Sequence, residues 1–398
     1  MQTSGLRRIF IVAGIVSLFV SYLGVWIRFI NDPVERTGAD FIHFYSAGRI
    51  AQSEGAGQVY DLALQQKIEE QQVGFLLAPG QVLPYNHLPF LIPILQTIVG
   101  PDYVNSFYRW VIIMFTLFMT GIIILGRILT DHGMDDKSIF LASIGSFLFL
   151  PFFFSLMNGQ DTAILFLGAA IWMYGLVTKR EMIAGLGLSL TTVRPHIALI
   201  LALPMVFSYR KVFMGFVIGS GILALISFLI IGVDGTREFI DIILISAGGE
   251  WYGMKQYAMY NLIGILMRIL PWLEAATIRA MGWIVYGTTI IALCIYWSRS
   301  KGLEGGKIGL TVILALFTVP HLHFHDLTLL LIPIYELIHY SAGNDRLKTS
   351  IATVLPIAIS LFLLLGNISP LLQYTFPYLI MIALIAYPYY SKHRTAIS

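Results

Sequence analysis

An aspartate and a histidine stand three residues apart in the run Gly38-Ala39-Asp40-Phe41-Ile42-His43-Phe44-Tyr45-Ser46-Ala47-Gly48. On a helix that spacing puts both on one face. The carboxylate can accept a proton there, and the imidazole can donate or accept one. Phe41, Phe44 and Tyr45 would form an apolar side suited to resting on lipid headgroups. The structural alternative is that Asp40 caps a surface helix, although His43 stands where a capping box asks for Glu or Gln.

Four further polar clusters interrupt otherwise apolar sequence. Leu83-Pro84-Tyr85-Asn86-His87-Leu88-Pro89 brackets polar side chains between prolines. Asn158-Gly159-Gln160-Asp161 lies between two apolar runs, and it also reads as a plain turn with Asp161 at the positive end of a helix dipole. Thr191-Thr192-Val193-Arg194-Pro195-His196 places an arginine between apolar segments. At membrane depth that costs roughly 2.5 to 3.5 kcal/mol unless the charge is paired or hydrated, so a carboxylate or an anionic ligand is expected beside it. Pro320-His321-Leu322-His323-Phe324-His325-Asp326 holds three alternate histidines, which converge only on an extended backbone. These can bind a metal or line a hydrated turn. The other six histidines, His43, His87, His132, His196, His339 and His393, are scattered, which excludes the paired histidine boxes of a di-iron desaturase.

The elements that must position these groups are membrane helices. Of 398 residues 57% are hydrophobic and only 12% charged, and mean hydropathy is +0.78, far from an ordinary soluble domain. Apolar runs of about 20 residues recur from end to end, so the expected fold class is an all-α polytopic membrane protein, one unit over 1–398 without a soluble domain. The net charge of +3 belongs to loop lysines and arginines, and no nucleic-acid partner is expected. Cys294 is the only cysteine, which excludes an internal disulfide or a cysteine-built metal site. The apolar run after Arg7 and Arg8 is too long for a signal peptide and is read as a retained span.

About twelve spans are expected: 8–29, 104–127, 138–157, 160–178, 181–193, 195–209, 212–232, 275–298, 307–320, 325–341, 349–367 and 371–391. Basic residues at Arg127/Lys137, Lys179/Arg180, Arg210/Lys211, Arg299/Lys301/Lys307, Arg346/Lys348 and Lys392/Arg394 then fall on the cytoplasmic side with both termini. This holds only if residues 86–100 make no net crossing. The short segments flanking Arg194 suggest half-helices meeting at a polar cavity. Two long loops fall on the exterior side. Residues 31–83 carry seven acids against three bases, with amphipathic patterns at 40–53 and 58–73 around a Gly55-Ala56-Gly57 break. Residues 233–273 carry Trp251, Tyr252, Tyr257, Tyr260 and Trp272, an interfacial belt or a sugar-stacking surface. In this topology Asp40, His43, Tyr85, His87, Gln160, Arg194, His196, His321, His323, His325 and Asp326 project to one side, outlining an exterior cavity.

Taken in order, Gly-Ala-Asp40-Phe with Tyr45 and Ala47-Gly48, Tyr85 to Pro89, Asn158-Gly159-Gln160, Arg194-Pro195 and the His321 to Asp326 run resemble glycosyltransferase family 87 (GT87), polyprenyl-phosphate-dependent mannosyltransferases of the GT-C fold. Relatives usually carry Lys-Pro where this chain has Arg194-Pro195, and arginine keeps the charge while adding bidentate geometry. The resemblance implies inverting transfer of a hexose, typically mannose, from a polyprenyl-phosphate sugar to a lipid or glycan acceptor. It places the reaction at the outer face of a bacterial or archaeal cytoplasmic membrane. It implies Asp40 as general base and the last histidine motif as part of the donor site.

On that reading Arg194, His196, His321, His323, His325, Asp326 and Gln160 hold the donor phosphate and sugar, and the cations meet the charge developing on the departing phosphate. His43, Tyr45, Tyr85, Asn86 and His87 form the acceptor side or pocket. No paired acids suited to Mg²⁺ beside a nucleotide diphosphate are visible, so metal-independent transfer without a cofactor is expected. A secondary transporter of a polar or metal solute is the alternative. It would show repeated halves with broken helices facing each other at the midplane, and no such repeat is visible. A polysaccharide polymerase or ligase would carry a basic exterior loop, which this chain lacks.

Overall fold

The computed structural model describes residues 2–32, 40–78, 81–131, 133–248, 256–299, 302–303, 306–341, 345–364, 375 and 377–383. Gly38, Ala39, Trp251, Tyr252, Lys392, Arg394 and most of the expected last span 371–391 lie outside them. The described residues are helical and contain no strand.

Four helices among the described residues are long and apolar enough to cross a membrane: Arg8–Asn31, Tyr103–Asp131, Arg210–Ser246 and Ala275–Arg299. A fifth crossing results if Asp136–Phe147 and Leu150–Asn158, bent by 48°, count as one. The bend falls where Pro151 opens the second helix. The Leu150 amide at that break donates to Ser360 Oγ at 3.0 Å, so the interruption leaves no unpaired donor in apolar surroundings.

Several other expected spans are shorter apolar helices, among them Thr162–Val177, Glu181–Val193, Pro195–Ser208 and Lys307–Thr318. At 1.5 Å per residue the 16 residues of Thr162–Val177 reach about 24 Å, short of a bilayer core of about 30 Å. Twelve of its 16 residues are buried. Hydropathy does not distinguish such a core helix from a lipid-facing one, and among the described residues the helices long enough to cross number four, or five with the bent pair.

The first long loop folds into the protein body. Helix Phe41–Ser53 buries Phe41 through Gly48 without a break, so its aromatic side packs inside the protein, contrary to the expectation of a lipid-resting face. Gln52 Nε2 donates to the carbonyls of Gln96 and Val99 at 2.8 and 2.6 Å, and Gln96 Nε2 donates to Ala51 O at 3.0 Å. These bonds strap the short helix Pro89–Ile98 alongside, so residues 86–100 make a ten-residue helix, too short to cross. Helix Leu62–Val73 starts on an Asp61 cap and ends on Gly74 in the left-handed region at φ 80.

The second expected loop, 233–273, is also corrected. The helix beginning at Arg210 continues to Gly248 past a kink at Gly232, where φ is 68. Gly235 beyond the kink leans on the backbone of Gly57, which ties this helix to the first loop. Helix Leu262–Ile269 follows, capped by Asn261. Trp272 and Tyr257 are exposed, while Tyr260 is buried.

Candidate active site

Asp40 precedes helix Phe41–Ser53 at the N-cap position, yet its side chain caps no amide. Its Oδ2 instead accepts a hydrogen bond from Gln160 Nε2 at 2.7 Å. The turn Asn158–Asp161 delivers that amide by nesting directly on the start of the helix. Gly159 adopts φ +71, and a Cβ there would lie 2.6 Å from Phe41 Cβ. Only glycine meets both demands. Trp110 Nε1 donates to Gly159 O at 2.7 Å and fixes the turn from behind.

Arg194 sits between the 3-10 turn Leu190–Val193 and helix Pro195–Ala202. The residue before a proline is pushed out of the helical region, and Arg194 has φ −127 and ψ 85. The half-helices expected from sequence therefore meet at this residue. Its Nη2 lies 2.9 Å from Asp161 Oδ1 and its Nε 3.5 Å from Asp326 Oδ1, with both carboxylates fully buried. Nη2 also donates to Gln160 Oε1 at 3.3 Å. Arginine is donor-only, so it takes the oxygen end of Gln160 and turns the NH₂ end toward Asp40.

The other face of Asp161 holds His87, whose Nδ1 is 2.8 Å from Asp161 Oδ2. His43 stacks on His87 with ring centroids 4.9 Å apart, and neither of its ring nitrogens finds a protein partner among the described residues. His87 is placed from a distance. Helix Leu62–Val73 turns Gln65 and Glu69 inward, where they accept the amides of Tyr85 at 2.8 Å and Leu83 at 3.0 Å. Tyr60 donates to His87 O at 2.6 Å, and Asn86 Nδ2 reaches Ser246 Oγ at 3.4 Å.

The last histidine motif is extended up to His323 and turns into a 3-10 segment, Phe324–Leu330. His321 Nε2 and His323 Nε2 share a proton at 2.8 Å. Rings of His323 and His325 are 5.3 Å apart, so the three histidines converge as an extended backbone permits. Asp326 accepts the His323 amide at 3.4 Å while gripping Arg194. Tyr286 OH donates to His196 O at 2.7 Å.

These groups surround a cavity of about 410 Å³, within the usual range for a small-ligand site. Of the sequence-expected residues, Asp40, His43, Asn86, His87, Gln160, Arg194, His196, His321 and His323 line it. Tyr45 does not; its hydroxyl donates to Pro101 O at 3.2 Å. Tyr85 is fully buried behind the wall, with its hydroxyl directed to Leu88 O. His325 and Asp326 lie behind the lining and act on it through Arg194. Sequence reading left out Asp161, the central anion, and the opposite wall of Gln256, Arg279, Trp283 and Tyr286. Arg279, Trp283 and Tyr286 follow an i, i+4, i+7 pattern, the one signal that would have put them on a common helix face.

The part of Asp40 that is exposed faces this cavity. Burial raises its pKa above the usual aspartate value, while the Gln160 hydrogen bond and nearby positive charge oppose the rise. Burial lowers the pKa of His43, His321 and His323 below the ordinary imidazole value, so all three are neutral at pH 7. Among the described residues no three His, Cys, Asp or Glu side chains are grouped to hold a metal ion.

A half-buried carboxylate held by a neutral amide and facing a polar cavity is suited to take a proton from a hydroxyl. The surrounding carboxylates, amides and neutral imidazoles are hydrogen-bonding partners for a polyol. No curated protein and no solved structure matches the chain. Residues 89–321, more than half of the chain, match the family model of Glycosyltransferase family 87, so the protein belongs to that family and is a membrane glycosyltransferase.

Proposed function

We propose that this enzyme transfers a hexose, mannose by preference, from a polyprenyl-phosphate sugar to a lipid or glycan acceptor, with inversion at the anomeric carbon. The observation that carries the proposal is the Asp40 carboxylate, uncommitted to capping and facing the cavity with Gln160 behind it. Asp40 takes the acceptor hydroxyl proton as that oxygen attacks C1, and the C1–O bond to the phosphate breaks on the opposite face. The polyprenyl phosphate leaves with the bonding pair.

His43 and His87 line the acceptor side, and His196, His321 and His323 the donor side, as hydrogen-bonding partners. Arg194 orders Gln160 and Asp161. The reaction needs no metal and runs at the outer face of the cytoplasmic membrane, in a GT-C architecture whose apolar wall admits the isoprenoid. The family match spans Gln160, Asp161, Arg194, His196 and His321, which supports a shared role for that part of the cavity. It also counts against a transporter.

The test is transfer of labelled sugar from synthetic polyprenyl-phosphate mannose by purified protein in nanodiscs, in EDTA, with a membrane extract as acceptor source. Asp40→Asn should lower the rate at least about 10²-fold while melting with the wild type. Normal transfer by Asp40→Asn sinks the assignment of the base, and no transfer by the wild type from mannose or glucose donors sinks the donor class.

A further inference from the structure

Negative charge exceeds positive in and directly behind the polar end of the cavity. Asp40, Asp161 and Asp326 surround one guanidinium, Arg194, which is already engaged by two of them. His43, His321 and His323 beside them add no positive charge, since burial lowers their pKa below the ordinary imidazole value. An arginine so compensated has little attraction left for a further anion. That end suits the hydroxyls of a sugar and repels a phosphate.

The opposite wall differs. Helix Ala275–Arg299 presents Arg279, Trp283 and Tyr286 to the cavity, joined by Ile263, Ile243 and Leu199. Arg279 donates to Gln256 Oε1 at 3.3 Å and pairs with no carboxylate among the described residues. It is the one Lys or Arg besides Arg194 in the described lining. Leu199 and Trp283 line the cavity while remaining 44% and 50% exposed. Ile284, next to Trp283, is exposed on the same spanning helix. The wall therefore leads from a cation with no carboxylate partner among the described residues to the lipid-facing surface.

We infer that Arg279, with Gln256 beside it, is the phosphate-binding group of the donor site, and that Trp283, Leu199 and Ile263 receive the first isoprene units. This rests on the polyprenyl-phosphate reading above and moves the phosphate contact away from Arg194. The guanidinium faces the phosphate oxygens in the bound donor and keeps its hold when C1–O cleavage leaves a second negative charge on the phosphate. The sugar then points inward to Asp40 and Gln160.

Calorimetric titration of the full-length protein in nanodiscs with farnesyl phosphate and with farnesol, blanked against empty nanodiscs, separates the charge from the chain. Arg279→Gln should weaken farnesyl phosphate by about ten- to a hundredfold and leave farnesol unchanged, while Arg279→Lys should retain most of the affinity. Unchanged farnesyl phosphate binding by Arg279→Gln overturns the assignment and leaves the donor reading standing. Equal loss of both ligands also overturns it, since that is a packing effect. If the wild type binds the two ligands alike, the assignment and the donor reading fall together.

Discussion

Gln160→Met offers the most discriminating test of how Asp40 works. Methionine keeps length and volume but removes the N–H that donates to Asp40 Oδ2 at 2.7 Å. Arg194 keeps its contacts with Asp161 and Asp326, so the cluster behind stays charged and paired. A hydrogen bond to an ionised carboxylate contributes about 1.5–3 kcal/mol. Its loss takes about that much from the ionised form and so raises the Asp40 pKa. Burial already holds that pKa above the usual carboxylate range, and the substitution adds to the rise. A general base works only when ionised. The acid limb of kcat/KM for sugar transfer should therefore move to higher pH in Gln160→Met, lowering the rate on the acid side by about ten- to a hundredfold. Well above the limb the variant should approach the wild-type rate. The assay is kcat/KM from about pH 5 to about pH 9 for both proteins. A uniform fall with the limb unmoved would mean that Gln160 serves the substrate and does not tune the base, and the reasoning would be wrong.

Three further outcomes follow from the same geometry. Asp161→Asn removes one carboxylate from a buried ion cluster, which costs about 3–5 kcal/mol; a melting temperature in nanodiscs equal to that of the wild type would show that Arg194 is not held by this pair. Gly159→Ala must strain a positive φ and push Cβ against Phe41, so a loss of about 1–3 kcal/mol in stability with reduced transfer is expected, and an alanine variant matching the wild type in both would refute the close approach. Glu69 is pushed up by burial from its ordinary 4.5 to about 8, the Leu83 amide opposing. Its folded pKa is the higher one, so the protonated form's contribution is full below about pH 4.5 and is lost as pH rises toward about 8. The wild type should melt lower at pH 9 than at pH 6, by a difference on the order of a few kcal/mol, and Glu69→Gln should flatten it; equal slopes in the two proteins would exclude Glu69 as the source.

Sequence reading picked out the polar end of the cavity because polar groups in so apolar a chain have few places to go. Asp40, Gln160, Arg194 and His321 come from distant segments, and each is costly in apolar surroundings unless it meets the others. It did not reveal which partner each would take. Arg194 looked available for a phosphate because its two carboxylates are 33 residues before it and 132 after it. Asp161 looked like an ordinary helix opener, and its position as N-cap of Thr162–Val177 is what that pattern describes. The second long loop was misplaced for a local reason. Gly232-Val-Asp-Gly235 followed by Arg237, Glu238 and Asp241 carries turn and charge signals. The chain kinks at Gly232 and resumes its helix because Gly235 can lie against Gly57.

The buried arginine and the cavity carboxylate form one device. An isolated guanidinium between Glu181–Ser189 and Pro195–Ala202 would be too costly to keep there, and two carboxylates offset that cost. Their geometry leaves Nη2 able to reach Gln160 Oε1. That contact decides which end of the amide Asp40 meets, because the reverse orientation would set an oxygen against the carboxylate and an NH₂ against a cation. Asp326, Arg194, Gln160 and Asp40 thus form a chain of alternating acceptors and donors that ends at the cavity. A neutral amide at its last link stabilises the carboxylate less than a direct guanidinium would, so Asp40 stays basic enough to take a proton. Had Arg194 met Asp40 directly, the ion pair would have been stronger and the base weaker.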